Sequence, residues 1–449
     1  SQPSGRPTTT APGQMSHALI QMRWDLRGSL LGTSERAIDK MACASLVTTV
    51  VPKTRARCPA RSARVSRVVR AAARRPSEST DLSRRDAVVG VGSLLMLSTR
   101  VAPAMAEDGA SEATAAEAPA VPKYSKPRVV ITGSNSGIGF DAAKKLAKSG
   151  DWSVVLACRT VAKAEQAKAS MRAEFPSIDT NDVQCYACDL GDMASVRAFA
   201  NDVTNDGPID ALCLNAGLEY SGDPTVYRTK DGFEETIGVN HLGHFLLANL
   251  LLDSLERSTK LSHPRIVVTA SEVHDPASAG GSVGKGATLG DLSGFERDGV
   301  NFEMVSGEPY DADKAYKDSK LCNMLFSYEL ERRLTSSGSK VTVNAFGPGL
   351  ITRTGLFRHQ QPLFVKAFDL ITNTFNVAES VDGGGNTLLY MLNDASLEGV
   401  GGTYYNNTIS PGSSATGHAF VVGDSSEESM DVAEAKKLWS LSEKLTGLA

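Results

Sequence analysis

From residue 127 onward, short runs of β-branched and aliphatic residues alternate with stretches whose apolar positions recur every three or four residues. In "KPRVVITGSNSGIGFDAAKKLAKSG" (126–150), RVVIT reads as a strand and GSNSG as a turn. The residues that follow, IGFDAAKKLAKSG, read as a helix. The same unit recurs through "WSVVLACRT", "VQCYACDL", "PIDALCLNAG", "RIVVTAS" and "KVTVNAFGPG". Strands apolar on both faces and separated by helices predict an α/β fold: a doubly wound parallel sheet with helices on both faces. The expected domain spans 127–449 and has inserted segments. Its ligands are expected at the carboxyl ends of the strands.

The first 126 residues break this pattern. Residues 41–76 are rich in Arg, Ala, Ser and Val and contain no Asp or Glu, the composition of an organellar transit peptide. Because "MACASLV" is a natural start, residues 1–40 read as an upstream extension. Within 41–106, "SRRDAVVGVGSLLMLSTRVAPAMAED" adds twin arginines, an apolar run from Ala87 to Leu97 and an Ala-Met-Ala site. That run is short of the roughly 20 residues that span a bilayer; it reads either as a twin-arginine thylakoid signal or as a mildly apolar stretch of a long transit peptide. An Ala/Glu/Pro-rich linker covers 107–126. These segments predict a chloroplast address, leaving stroma, lumen and peripheral thylakoid association open, and homo-oligomerisation as well. The formal net charge of −4 gives no reason to expect nucleic-acid binding.

The glycines Gly133, Gly137 and Gly139 follow T-G-x-x-x-G-x-G, between a strand and a helix. Glycines there let the backbone turn tightly and approach a pyrophosphate resting on the helix N-terminus, so the fold is Rossmann-type. Gly133, Ser134, Asn135, Ser136, Gly137, Ile138 and Gly139 are the candidate cradle. Arg159 ends the second strand where an acidic residue would select NAD, and an arginine suits the 2′-phosphate of NADPH. Asp189 and Leu190 end the third strand, at the adenine; Asn215, Ala216 and Gly217 end the fourth. Cys185 and Cys188 lie three apart on a strand, which puts them on opposite faces as structural cysteines. His241 and His244 lie three apart on a helix with no carboxylate cluster nearby, which predicts packing or a solvated face and no metal.

"AYKDSKLCNM" (315–324) places Tyr316 and Lys320 one helical turn apart, on one face. With the glycine loop, Asn215-Ala216-Gly217, "VNHLGHF" with Asn240, "VVTAS" with Ser271, and Pro348-Gly349 with Thr352, the chain resembles the short-chain dehydrogenase/reductase superfamily. The resemblance implies a catalytic set of Tyr316, Lys320, Asn240 and Ser271. Lys320 would bind the nicotinamide ribose and, together with the positive nicotinamide of the oxidised cofactor, lower the Tyr316 pKa from about 10. Asn240 would hold a relay water, and Ser271 would polarise a substrate oxygen. Pro348, Gly349 and Thr352 join the cofactor contacts.

A narrower resemblance rests on "AYKDSKLCNM", "NHLGHFLLANLLLD", "TLGDLSG", "TGLFRHQQPLF" and the terminal "KLWSLSEKLTGLA". In these places the chain is similar to light-dependent protochlorophyllide oxidoreductases. That similarity implies transfer of a hydride from NADPH to C17 of protochlorophyllide and of a proton to C18, driven by light absorbed by the pigment. Leu350, Phe357 and Tyr220 are the candidate substrate-pocket residues. Leu350 stands where the family has a cysteine, and Gly217 where it usually has alanine. "VVTASEVHDP" is closer to ordinary dehydrogenases, so the alternative is a plastid reductase acting on a carbonyl or hydroxyl of another large apolar molecule. Cys322 and the amphipathic terminal helix read as packing elements.

Overall fold

A computed structural model of the chain describes residues 124–356, 360, 365–366, 369–370, 378–409 and 418–449. The expected leader and most of the linker, with Phe357, lie outside the described residues. Seven parallel strands and one antiparallel strand form a single sheet in the order β3-β2-β1-β4-β5-β6-β7-β8. These are β1 (Arg128–Thr132), β2 (Ser153–Cys158), β3 (Val183–Ala187), β4 (Ala211–Leu214), β5 (Arg265–Thr269), β6 (Thr342–Gly347), β7 (Tyr404–Ile409) and β8 (His418–Val422). Val130 lies between Val155 of β2 and Leu212 of β4. No residue of β1 is more than 1% exposed, so a run apolar on both faces has become a strand covered on both faces.

Helices α1 (Gly137–Ser149), α2 (Val161–Glu174) and α7 (Val381–Asn393) cover one face. Helices α3 (Met193–Asp206), α4 (Gly243–Glu256), α6 (Ala312–Ser337) and α8 (Val432–Thr446) cover the other. Cys185 packs into the first layer and Cys188 into the second, on opposite faces as strand alternation requires. Strand order reverses between β1 and β4, which opens the crevice where such sheets take ligands.

Two insertions have different fates. The stretch between β5 and α6 carries α5 (Ser293–Asp298) and is pinned to α6 by buried ammonium groups. Lys317 Nζ donates to the carbonyls of Gly281, Val283 and Lys285. Lys314 Nζ donates to Thr288 O at 2.6 Å and to Asp318 Oδ2 at 2.6 Å. Phe302 packs between Phe295 and Phe233, outside the crevice. The stretch after β6 instead brings Ile351, Thr354 and Leu356 to the crevice wall. Helix α8 turns its apolar face inward: Trp439 meets Phe245 at 4.9 Å and stacks on Phe326 at 5.9 Å. Among the described residues no helix is long and apolar enough to cross a membrane.

Candidate active site

The crevice holds a cavity of about 420 Å³ running from the glycine loop to the first turns of α6. At its floor the chain comes closer than most side chains allow. Gly133 has φ +67°, and a Cβ there would lie 2.9 Å from the Ala216 Cα. A Cβ on Gly139 would fall 2.3 Å from the Asn215 amide nitrogen, which donates to Thr132 O at 2.9 Å. Both positions therefore require glycine. Thr132 Oγ1 also accepts from the backbone N–H groups of Asn215 and Ala216, so β1 and β4 are stitched together beneath the cavity. Helix α1 has no acidic residue in its first turn, which leaves its positive end available to an anion.

Asn135, Ser136, Gly137 and Ile138 line this end, with Asp189 and Leu190 beyond. Arg159 lines it too, joined by Lys163, a cation one helical turn on that the sequence reading had not singled out. Asn215 and Thr269 line the wall, and their buried Oδ1 and Oγ1 atoms have no hydrogen-bond partner among the described residues. Buried polar groups are normally paired, so these atoms suit a wall that meets a polar ligand. Glycine cradle, helix end, paired cations and waiting polar atoms together fit a nicotinamide dinucleotide phosphate.

At the other end Tyr316 and Lys320 line the cavity with Ser271. The α6 N-cap, Asp311, accepts from the Lys314 N–H, so the helix starts one turn before Tyr316. Lys320 Nζ donates to Thr269 O at 3.1 Å and lies 5.5 Å from the Tyr316 ring centre. Asn240 lies behind them in a π-helical turn, Gly238–Leu242. Its Oδ1 accepts from Leu218 N–H and its Nδ2 donates to Leu218 O and Ser319 Oγ. Asn240 thus holds the β4 loop against α6 and does not itself line the cavity.

Tyr316 and Lys320 are both shifted from their ordinary values, and burial is the first cause of each shift. Burial pushes the Tyr316 phenol up, and the Glu219 carboxylate pushes it further. Burial brings Lys320 down to about 8, against the opposing field of Glu219. For both groups desolvation disfavours the charged form. At neutral pH Tyr316 is therefore a phenol.

Other candidates point elsewhere. Ser134 is fully buried and faces Cys158 Sγ at 3.6 Å. Thr352 donates to Asp369, and Thr354 lines the cavity in its place. Tyr220 donates to Glu235 Oε2 at 2.6 Å and stacks on Tyr227; Glu235 is the wall residue. Leu350 is outside the wall, its carbonyl accepting from Glu379 N–H at 2.7 Å. Cys322 is fully buried, its thiol pushed well above the ordinary value by burial, and serves as packing.

Neither histidine is on a solvated face. His241 meets Ser442 of α8 at 3.0 Å. His244 Nδ1 faces Asn240 O at 3.0 Å and its Nε2 faces Thr132 Oγ1 at 2.9 Å. A neutral ring donating from Nδ1 and accepting at Nε2 satisfies both contacts, and burial holds its pKa down to about 4. Among the described residues no cluster of three or more His, Cys, Asp or Glu could hold a metal ion.

Gly217 tests the tightness of this end. A Cβ there would lie 3.4 Å from Asn240 Oδ1 and 3.8 Å from Lys320 Nζ, ordinary contacts, and Gly217 is not among the positive-φ glycines. Gly217→Ala should leave affinity for a nicotinamide cofactor within about twofold of wild type, as expected where no named destabilising mechanism applies. A larger loss in a binding titration would show that the loop carries strain.

Residues 127–284 match the family model for short chain dehydrogenases. The protochlorophyllide reductase of Cucumis sativus is 37% identical over 358 residues, covering 76% of this chain and 84% of that protein. Protochlorophyllide reductase A of Oryza sativa subsp. japonica is 39% identical over 331 residues, 71% and 80% of the two chains. A crystal structure of an uncharacterized protein from Mycobacterium Paratuberculosis is 30% identical, with a TM-score of 0.51, over 73% of this chain and 96% of that one.

Proposed function

Because the chain belongs to the protochlorophyllide reductase family of short-chain dehydrogenases and is an oxidoreductase, we propose that it reduces protochlorophyllide to chlorophyllide in a light-driven, NADPH-dependent step. One observation carries this reading: Tyr316, Lys320 and Ser271 line one end of a cavity whose other end carries Arg159 and Lys163. The curated relatives are named as chloroplastic proteins, and with the Arg-rich, acid-free stretch at 41–76 this supports a chloroplast address.

Bound NADPH supplies the hydride that goes to C17 of the light-excited pigment. The residues of this chain handle the rest. Arg159 and Lys163 hold the 2′-phosphate, and the glycine loop with the α1 N-terminus holds the pyrophosphate. Lys320, its ammonium kept in place by Thr269 O, binds the ribose and orients Tyr316. Tyr316 gives its phenolic proton to C18: the O–H bond breaks, a C–H bond forms, and the phenolate regains a proton from solvent. Asn240 keeps the loop at Leu218 and the start of α6 in register while this happens.

Ser271 in the same wall favours a second reading, dark reduction of a carbonyl on another large apolar molecule. The two separate in one experiment. The full chain is mixed with NADPH and protochlorophyllide in darkness and then flashed, and absorption is followed from substrate to chlorophyllide. A shift only after the flash is expected. Turnover in darkness, or none with NADPH bound, would overturn the photochemical reading.

A further inference from the structure

Resting on the reading of the cavity as a dinucleotide site, we propose that Asp231, with Lys230 beside it, is a positioning residue for the adenosine half of the cofactor. Neither residue lines the cavity, but Asp189 and Leu190 do, and the loop that carries them is fixed from Lys230 and Asp231. Within the loop, Asp189 Oδ1 accepts from Gly191 N–H at 3.1 Å and Asp189 O from Asp192 N–H at 3.0 Å. The next three residues are then held in order from outside. Gly191 O accepts from Lys230 N–H at 2.9 Å. Asp192 Oδ2 accepts from Lys230 Nζ at 2.6 Å. Met193 N–H donates to Asp231 Oδ2 at 2.8 Å. Asp192 already caps α3 through the N–H groups of Ala194 and Ser195, so Asp231 takes the first N–H of that helix, which the cap leaves over.

The turn that carries the two residues is itself braced. Arg228 and Glu234 close it as a bridge, Thr229 N–H donates to Phe233 O at 2.9 Å, and Gly232 supplies φ +94°. The Arg228 guanidinium donates to Gly232 O at 2.8 Å, and to Asn301 O and Phe302 O of the segment between β5 and α6 at 3.0 and 3.2 Å. Phe233 packs on Phe302. On its other side the loop meets α4, where a Cβ on Gly243 would lie 2.4 Å from Leu190 O. The inserted segment, outside the crevice, thus supports the adenine end of the cavity through this turn. Of the two contacts made by side chains, the one from Lys230 is a surface ion pair, its ammonium side chain 71% exposed, and such pairs contribute little. The bond from Met193 N–H to a carboxylate is charge-assisted and partly buried, so Asp231 carries most of the effect. A loop that occupies its binding-competent position only part of the time weakens its ligand by that fraction.

The test titrates NADPH, NADH and 2′,5′-ADP into the full chain. Asp231→Ala should weaken all three by one common factor, about three- to tenfold, the worth of one ordinary hydrogen bond. The preference for NADPH over NADH should stay as in wild type. Asp231→Asn, whose amide oxygen still accepts from Met193 N–H, should recover most of the affinity. A folded Asp231→Ala protein that binds all three as wild type does would overturn the proposal. So would a loss seen with NADPH and NADH but not with 2′,5′-ADP, which would place the effect on the nicotinamide half. An Asp231→Asn protein as weak as Asp231→Ala would also overturn it, leaving only a role for the charge. Failure of the photochemical reading appears in the flash assay, which follows turnover, and failure of this one in the titrations, which follow binding.

Discussion

Tyr316→Phe should slow product formation by about 10²–10⁴-fold, the usual worth of a positioned general acid, while NADPH affinity stays close to wild type. The ring is kept, so the packing of α6 and the 5.5 Å approach of Lys320 Nζ to the ring centre have no reason to change. The Oη–H is lost, and with it the group at this end of the cavity whose pKa is raised by burial and by Glu219. Flash-induced absorbance changes give the rate per bound complex, and a separate titration gives the NADPH dissociation constant. A collapse in NADPH affinity with a normal rate per complex would make Tyr316 a cofactor ligand and remove it from the proton step. The pH dependence adds a second reading. Because the phenol is raised, the wild-type rate should hold on the alkaline side until Lys320, brought down to about 8, loses its charge and releases the cofactor.

Much of this site was legible in the chain because its parts are tied to strand ends. The apolar run RVVIT could only be a strand covered on both faces, and the glycines after it had to serve a tight turn. The collision that forbids a side chain at Gly139 involves Asn215, 76 residues away, yet both are legible, one as part of the glycine loop that follows β1 and the other as the residue that follows β4. Orientation was not legible. Ser134 and Ser136 are equivalent in a string of letters, but the first turns to Cys158 and the second to the cavity. Thr352 and Thr354 exchange roles for the same reason, set by the path of the chain after Gly349. Between the two readings left open for His241 and His244, packing or a solvated face, the structure has packing, because one meets the terminal helix and the other meets β1. The protonation of Tyr316 was also out of reach, since burial and a carboxylate three residues past Ala216 together raise its pKa. That carboxylate belongs to no motif in the reading of the chain.

The cofactor preference is the other place where one residue should decide a large effect. Arg159 follows β2 directly and is exposed to the solvent at the cavity mouth, while Lys163, half-buried, lies in the first turn of α2. Both cations face the end of the cavity where the adenosine moiety would rest, between the glycine loop and Asp189. A hydrogen bond to a charged group contributes about 1.5–3 kcal/mol, which corresponds to a roughly 10–150-fold change in dissociation constant. Arg159→Ala should therefore weaken NADPH by about that range and leave NADH nearly unchanged, because NADH has no phosphate there to lose. Lys163→Ala should act in the same direction, and by less, since a flexible ammonium makes a point contact where a guanidinium can bind an oxyanion through two N–H groups. An exposed pair is also screened by ions, so the wild-type preference for NADPH should shrink as salt is raised, and the Arg159→Ala protein should show a weaker salt dependence. Titrating both nucleotides against both variants at low and high salt decides the matter. Equal weakening of NADH and NADPH would mean that Arg159 supports the loop and carries no phosphate, and the 2′-phosphate would then have to be sought among Asn135, Ser136 and Lys163.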